Sequence, residues 1–124
     1  MEKTDILVRS DIEKLVNRFY DKVKKDDVIG YIFNDLVKVD WHKHLPVMYD
    51  FWEGVIFYTG TYAGNPMITH RKLSHVVSLT PEHFNRWLKL FLAAIDENFE
   101  GEKAELAKQR AISIGTVMQL KLRN

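Results

Sequence analysis

Polar tips on apolar helix faces are where this chain can do chemistry: the imidazoles of His44 and His70, the phenol of Tyr20 and the indole of Trp87. A neutral imidazole can ligate a metal, while phenol and indole donate hydrogen bonds. His70 follows the breaker-rich run Gly60-Thr61-Tyr62-Ala63-Gly64-Asn65-Pro66 and reads as part of a short helix. Met67, Leu73 and Val77 fall on or near its face, so its ring is expected to meet apolar surroundings. A histidine so placed is either a satisfied core residue or a ligand. Each buried polar tip needs a partner, because an unsatisfied buried donor costs about 1–3 kcal/mol.

Other chemistries lack their residues. There is no Gly-x-Gly-x-x-Gly, phosphate loop, His-Glu-x-x-His or Gly-x-Ser-x-Gly elbow. His42 and His44 diverge on a helix, and His70 and His75 are too far apart for a local zinc or non-haem iron site. The acids mostly flank helices or lie on polar faces, where capping and solvation account for them. The absence of cysteine removes disulfides, thiol nucleophiles and covalent haem attachment through Cys-x-x-Cys-His.

A haem carrying a diatomic ligand satisfies the remaining set. Its iron takes a neutral imidazole on one side, and bound dioxygen, partly negative at its outer oxygen, calls for donors such as Tyr and Trp on the other.

The elements that must position these groups are almost wholly helical. A first helix is expected from the Ser10-Asp11-Ile12-Glu13 capping box to about Lys25, with Ile12, Leu15, Val16, Phe19 and Val23 inward and Tyr20 at the edge of the stripe. Lys22, Lys24 and Lys25 read as its solvated end. Asp26-Asp27 starts a shorter helical stretch carrying Val28, Ile29, Ile32 and Phe33, ending near Asn34-Asp35. A third helix runs from Asp40 to about Tyr58, with Trp41, His44, Leu45, Met48, Phe51, Trp52 and Val55 inward and His42 off the stripe. Pro46 removes one hydrogen bond there and predicts an irregular first turn, which leaves His44 either in the pocket or swung toward solvent. After the short His70 helix, Thr80-Pro81-Glu82 opens a strong helix with Phe84, Trp87, Leu88, Phe91, Leu92, Ile95 and Phe99 on one face, ended by Gly101. A last helix from Glu102 to Leu122 is expected to bury Ala107, Ala111, Ile114, Val117 and Met118.

The 124 residues form one expected domain, 1–124, long enough to bury roughly two-thirds of its unfolded surface. A net charge of +1 with mixed signs argues against nucleic acid or an anionic membrane as partner. No run approaches the roughly 18 apolar residues of a membrane span, and Met1-Glu2-Lys3-Thr4-Asp5 lead into a helix pattern, so no signal segment is expected. A soluble, cytoplasmic protein is expected.

The order of Phe19-Tyr20, Gly30-Tyr31-Ile32-Phe33-Asn34, Trp41-His42-Lys43-His44, Phe51-Trp52, Gly64-Asn65-Pro66 to His70, and Phe84 to Phe91 with Trp87 resembles the group III truncated haemoglobins over about residues 10–120. The resemblance implies an all-α, two-over-two helical globin sandwich around a non-covalent b-type haem. It implies His70 as proximal iron ligand, Tyr20, His44 and Trp87 as distal ligand-binding residues, and Phe33, Met48, Phe51 and Trp52 as haem-pocket residues. Arg71 and Lys72 are candidates for the haem propionates, and equally plain surface charges. The function implied is binding of dioxygen, nitric oxide, carbon monoxide and ferric-state anions, with nitric oxide dioxygenation or peroxide chemistry, served by an electron-donor reductase, in preference to transport. No residue assigns a catalytic role, so enzymatic activity stays open. The alternative is a haem-free helical interaction module whose aromatics are only core.

Overall fold

A 3–4 spacing of apolar residues produces each long helix. In the computed structural model, which describes residues 3–36, 40–58 and 80–122, these are α1 (Arg9–Lys25), α2 (Trp41–Phe57), α3 (Pro81–Asn98) and α4 (Glu102–Leu122). A π-helical turn, Ile32–Leu36, lies between α1 and α2. Helix α1 packs on α2 and α3, and α4 packs on α3 and α2, so two helix pairs cross over one core. Among the described residues there is no β-strand, only an isolated bridge between Thr4 and Phe99. None of their helices is long and apolar enough to cross a membrane.

The stripe on α1 is buried as expected, and Tyr20 goes in with it. The start differs. Helix α1 begins at Arg9, because the Asp11 carboxylate accepts the N–H groups of Leu7 and Val8 at 2.9 and 3.1 Å, two residues ahead of the expected Ser10 box. Glu13 is thereby free to pair with Arg9 at 3.3 Å. At the other end the Asp26 carboxylate accepts from Val28 and Ile29 at 2.9 and 3.0 Å and caps the following stretch. Gly30 is required there: a Cβ would stand 2.9 Å from the carbonyl oxygen of Val23.

Helix α2 begins after Asp40 and ends on Tyr58, whose left-handed backbone (φ 60°) closes it. Pro46 lies inside α2 without interrupting it. Helix α3 begins on a reciprocal box: the Thr80 hydroxyl accepts from the N–H of His83 at 3.3 Å, and the Thr80 N–H donates to His83 Nδ1 at 3.0 Å. Ala104, Ala107, Ala111 and Gly115 form the small-residue face of α4, and the Trp87 ring lies 3.6 Å from where a Gly115 Cβ would be. Against expectation Val117 is 47% exposed, since the buried face runs through Gly115 and Met118 and leaves Val117 to one side.

The N-terminal residues tie across the α3–α4 corner. Asp5 accepts from the N–H groups of Ile6, Lys103 and Ala104 at 2.8, 2.9 and 2.8 Å, so a residue far away in sequence caps α4. Burial pushes the Asp5 carboxyl up, but those three N–H groups and the Lys103 charge outweigh it and hold the group below its usual value. Gly101, at φ +142°, makes room for this carboxylate: a Cβ would lie 2.5 Å from the Asp5 Cγ.

Candidate functional site

Helix α1 delivers Tyr20 and helix α2 delivers His44 to one point, with the Tyr20 hydroxyl 3.1 Å from His44 Nε2. Tyr20 is only 7% exposed, and burial raises its phenol above the ordinary value, so the group stays neutral and keeps its proton. His44 therefore points inward despite Pro46. The alternative in which it swings out to solvent is not the arrangement found.

Aromatic rings enclose the pair. The Tyr20 ring lies 4.8 Å from Phe19, 5.0 Å from Trp41, 5.3 Å from His44 and 6.2 Å from Phe33, and Phe33 stacks on Trp41 at 6.1 Å. Trp87 reaches the same cluster through Phe19, whose ring it meets edge-on at 6.0 Å. It then stacks on Phe91 at 5.8 Å, and Phe91 stacks on Trp52 at 4.5 Å. Phe51 meets Trp52 edge-on at 5.2 Å. Met48 is half-buried against the core. Phe33 and His44 thus each meet Tyr20 directly, while Trp87 joins through Phe19, and Trp52 and Phe51 continue the wall further on through Phe91. His42 is exposed, as its place off the stripe required.

His70, Arg71 and Lys72 lie outside the described residues, as does the loop before them. Among the described residues no three acidic or imidazole side chains converge as a metal site.

Two residues here were missed as site residues in the sequence. Trp41 read as one more member of the α2 stripe, yet it touches Tyr20, His44 and Phe33. Lys24 read as a solvated helix end, yet its ammonium lies 4.4 Å from the centre of the Trp41 ring. Its place one turn after Tyr20 was the available signal, since residues four apart share a helix face. Lys22 keeps to the surface, where it pairs with the exposed Glu97 of α3 at 2.7 Å.

Beyond Phe51 a groove of about 510 Å³ opens between α2 and α4, lined by Gly54, Val55, Tyr58, Ile114, Val117 and Met118, with Arg110 and Ser113 at hand. The groove shares Phe51 with the aromatic wall and does not include Tyr20, His44 or Trp87 in its lining; an apolar slot of this kind suits a flat, mostly apolar group. The donor set fits a haem: nothing among the described side chains puts an uncompensated charge against the Tyr20–His44 pair, and both groups can donate.

Similarity to known proteins agrees with this chemistry. The family described as bacterial-like globin matches residues 6–121. The group 3 truncated hemoglobin ctb of Campylobacter jejuni is 32% identical over 120 residues, which cover 94% of this chain and 92% of that protein. The crystal structure of a group III truncated hemoglobin from Campylobacter jejuni superposes with a TM-score of 0.85 at 31% identity, covering 99% of this chain and 97% of the other. The chain therefore belongs to the bacterial-like globin family, as a group III truncated haemoglobin, and with that family comes haem-based ligand binding in general.

Proposed function

We propose that the protein holds a non-covalent b-type haem through His70 and binds dioxygen, nitric oxide, carbon monoxide and ferric-state anions on the side faced by Tyr20, His44 and Trp87. The observation that carries this reading is the neutral, buried Tyr20 hydroxyl in hydrogen-bond contact with His44. When bound, the haem iron supplies the coordination position for the diatomic ligand. The chain's residues supply the rest. The Tyr20 hydroxyl and the His44 imidazole can divide donor and acceptor roles between them, and the imidazole tautomer sets which one donates outward. The Trp87 indole adds a third donor. Phe33, Met48, Phe51 and Trp52 give the apolar wall that excludes water, so hydrogen bonds inside it are stronger than in solvent. Arg71 and Lys72, next to the proposed ligand His70, offer cations to the propionates.

Several donors around one small ligand favour slow release over rapid exchange, so chemistry on the bound gas suits this site better than transport. Nitric oxide dioxygenation would join nitric oxide and dioxygen as nitrate using one electron that a bound ferrous haem would supply, and an electron-donor reductase is the partner that would return that electron. Peroxide turnover draws on the same donors. The direct test is an absorption spectrum of purified protein with and without reductant. We expect an intense Soret band that shifts under carbon monoxide, and a loss of normal ligation in His70→Ala. Colourless protein that ignores added hemin defeats the haem reading; an unaltered spectrum in the variant defeats the role of His70.

A further inference from the structure

Trp41 opens α2 three residues before His44, so the two share a helix face. Its ring lies 5.0 Å from Tyr20 and 5.8 Å from His44, and it stacks on Phe33. The turn of α2 that carries His44 keeps its backbone bonds, the Lys43 and His44 N–H groups donating to the Asp40 carbonyl at 3.1 and 2.9 Å, but has little further support of its own. Asp40 contributes no side-chain cap, and Pro46 withholds the hydrogen bond that the His42 carbonyl would accept. The imidazole's orientation therefore depends on what packs against it. Trp41 touches both members of the polar pair and is itself held from α1, where the Lys24 ammonium lies over its ring at 4.4 Å. Lys24 is in turn well placed, since its carbonyl accepts from Asn34 Nδ2 at 2.9 Å and Gly30 passes close behind it.

We propose that Trp41 is a positioning residue for ligand binding: it sets the mutual geometry of the Tyr20 hydroxyl and the His44 imidazole, and the Lys24 ammonium holds it in place. The inference rests on the reading of Tyr20 and His44 given under the proposed function. Trp41 acts through the pair and not on the ligand, so its effect must shrink when Tyr20 can no longer donate, leaving only the part carried by His44. A residue that only packs would lower stability without that dependence.

The test uses the haem-loaded full chain and two readouts, the infrared C–O stretch of the carbon monoxide complex and the rate of dioxygen release. Trp41→Leu is expected to move the stretch toward its position in Tyr20→Phe and to speed release roughly fivefold, with Lys24→Met shifting the stretch less in the same direction and speeding release roughly twofold. In a Tyr20→Phe background, Trp41→Leu should change release by less than about twofold. An unmoved stretch and unchanged release in Trp41→Leu, while Tyr20→Phe speeds release, overturn the role of Trp41 alone. Fully additive effects in the double variant overturn it as well. Unchanged release in Tyr20→Phe overturns the reading beneath it. Should Trp41→Leu fail to fold, Trp41→Phe and Lys24→Met carry the test, and an unmoved stretch in both defeats the proposal.

Discussion

Arg9 and Tyr20 stand toward opposite ends of α1 and each fastens it to α2, but the two fastenings are built from different chemistry. Arg9 donates to Asp50 at 2.8 Å and Glu53 at 3.3 Å in a half-buried ionic network near the surface. Tyr20 meets His44 at 3.1 Å among aromatic rings, with the phenol held neutral by burial. The partners run in opposite order along the two helices, and Tyr49 reaches Asn17 between them, so one antiparallel seam is ionic at one end and neutral at the other. Charges held in water near the surface contribute little and weaken with salt. Neutral donors in a dry enclosure are strong and specific, and they suit an uncharged gas that acquires partial charge only when bound.

If only the neutral end serves the ligand, a fastening elsewhere can be cut with a larger cost in stability and no cost in binding. Asp5 offers that case, because its carboxylate is saturated by three N–H groups far from Tyr20. Asp5→Ala should lower unfolding free energy by about 2 kcal/mol in urea titration, the upper range for a lost helix cap, and leave dioxygen release unchanged. A pH series adds a sign. The folded-state value of Asp5 is depressed below 3.8, so its contribution is complete above the unfolded value and is lost as pH falls through the folded one. The variant should lack that acid-side loss. Altered ligand release in Asp5→Ala would merge the two kinds of fastening that we separate.

Cutting the neutral end should reverse the pattern. Tyr20→Phe keeps the ring contacts with Trp41 and Phe33 and removes only the hydroxyl. We expect dioxygen release about tenfold faster, equivalent to about 1.4 kcal/mol, and a stability loss of about 1 kcal/mol or less for the bond to His44. Stopped-flow ligand replacement checks the first and urea titration the second. A stability loss without faster release would make the pair a structural contact.

How much of this was legible depended on whether a feature is local. The α1 stripe, the Thr80-Pro81 start and the Asp26 cap involve residues within a turn or two of each other, and periodicity and capping chemistry report them. The Asp5 cap joins groups 98 and 99 residues apart, and no spacing encodes it. The early start of α1 has a related cause, since Asp11 had two possible uses and the chain ahead of it decided between them. Val117 shows a third limit: on a long helix with a small-residue face, neighbouring positions compete for the buried side, and here Gly115, against the Trp87 ring, and Met118 take it while Val117 stays outside. At the site, residue types and order pointed to Tyr20 and His44, but not to their contact between positions 24 apart or to Trp41 beside them. Aromatic residues on a stripe look alike until a second helix shows which one faces a polar tip.

The smallest effect belongs to the ionic end. The Arg9 side chain is 37% exposed, so solvent screens its attraction to Asp50 and Glu53. Its guanidinium also lies 5.7 Å from the Tyr49 ring, a contact that an uncharged replacement of similar length partly keeps. Arg9→Gln should therefore cost about 0.5 kcal/mol at low salt, and the difference from the parent should shrink as salt is raised toward molar concentration. Dioxygen release should not change at any salt, because α2 is still fixed by Trp52 stacked on Phe91 at 4.5 Å and by the contacts around Tyr20. Release that followed Arg9 and responded to salt would show that α2 moves as a rigid lever between its two ends. The neutral pair would then be set partly by ions located elsewhere on the same seam.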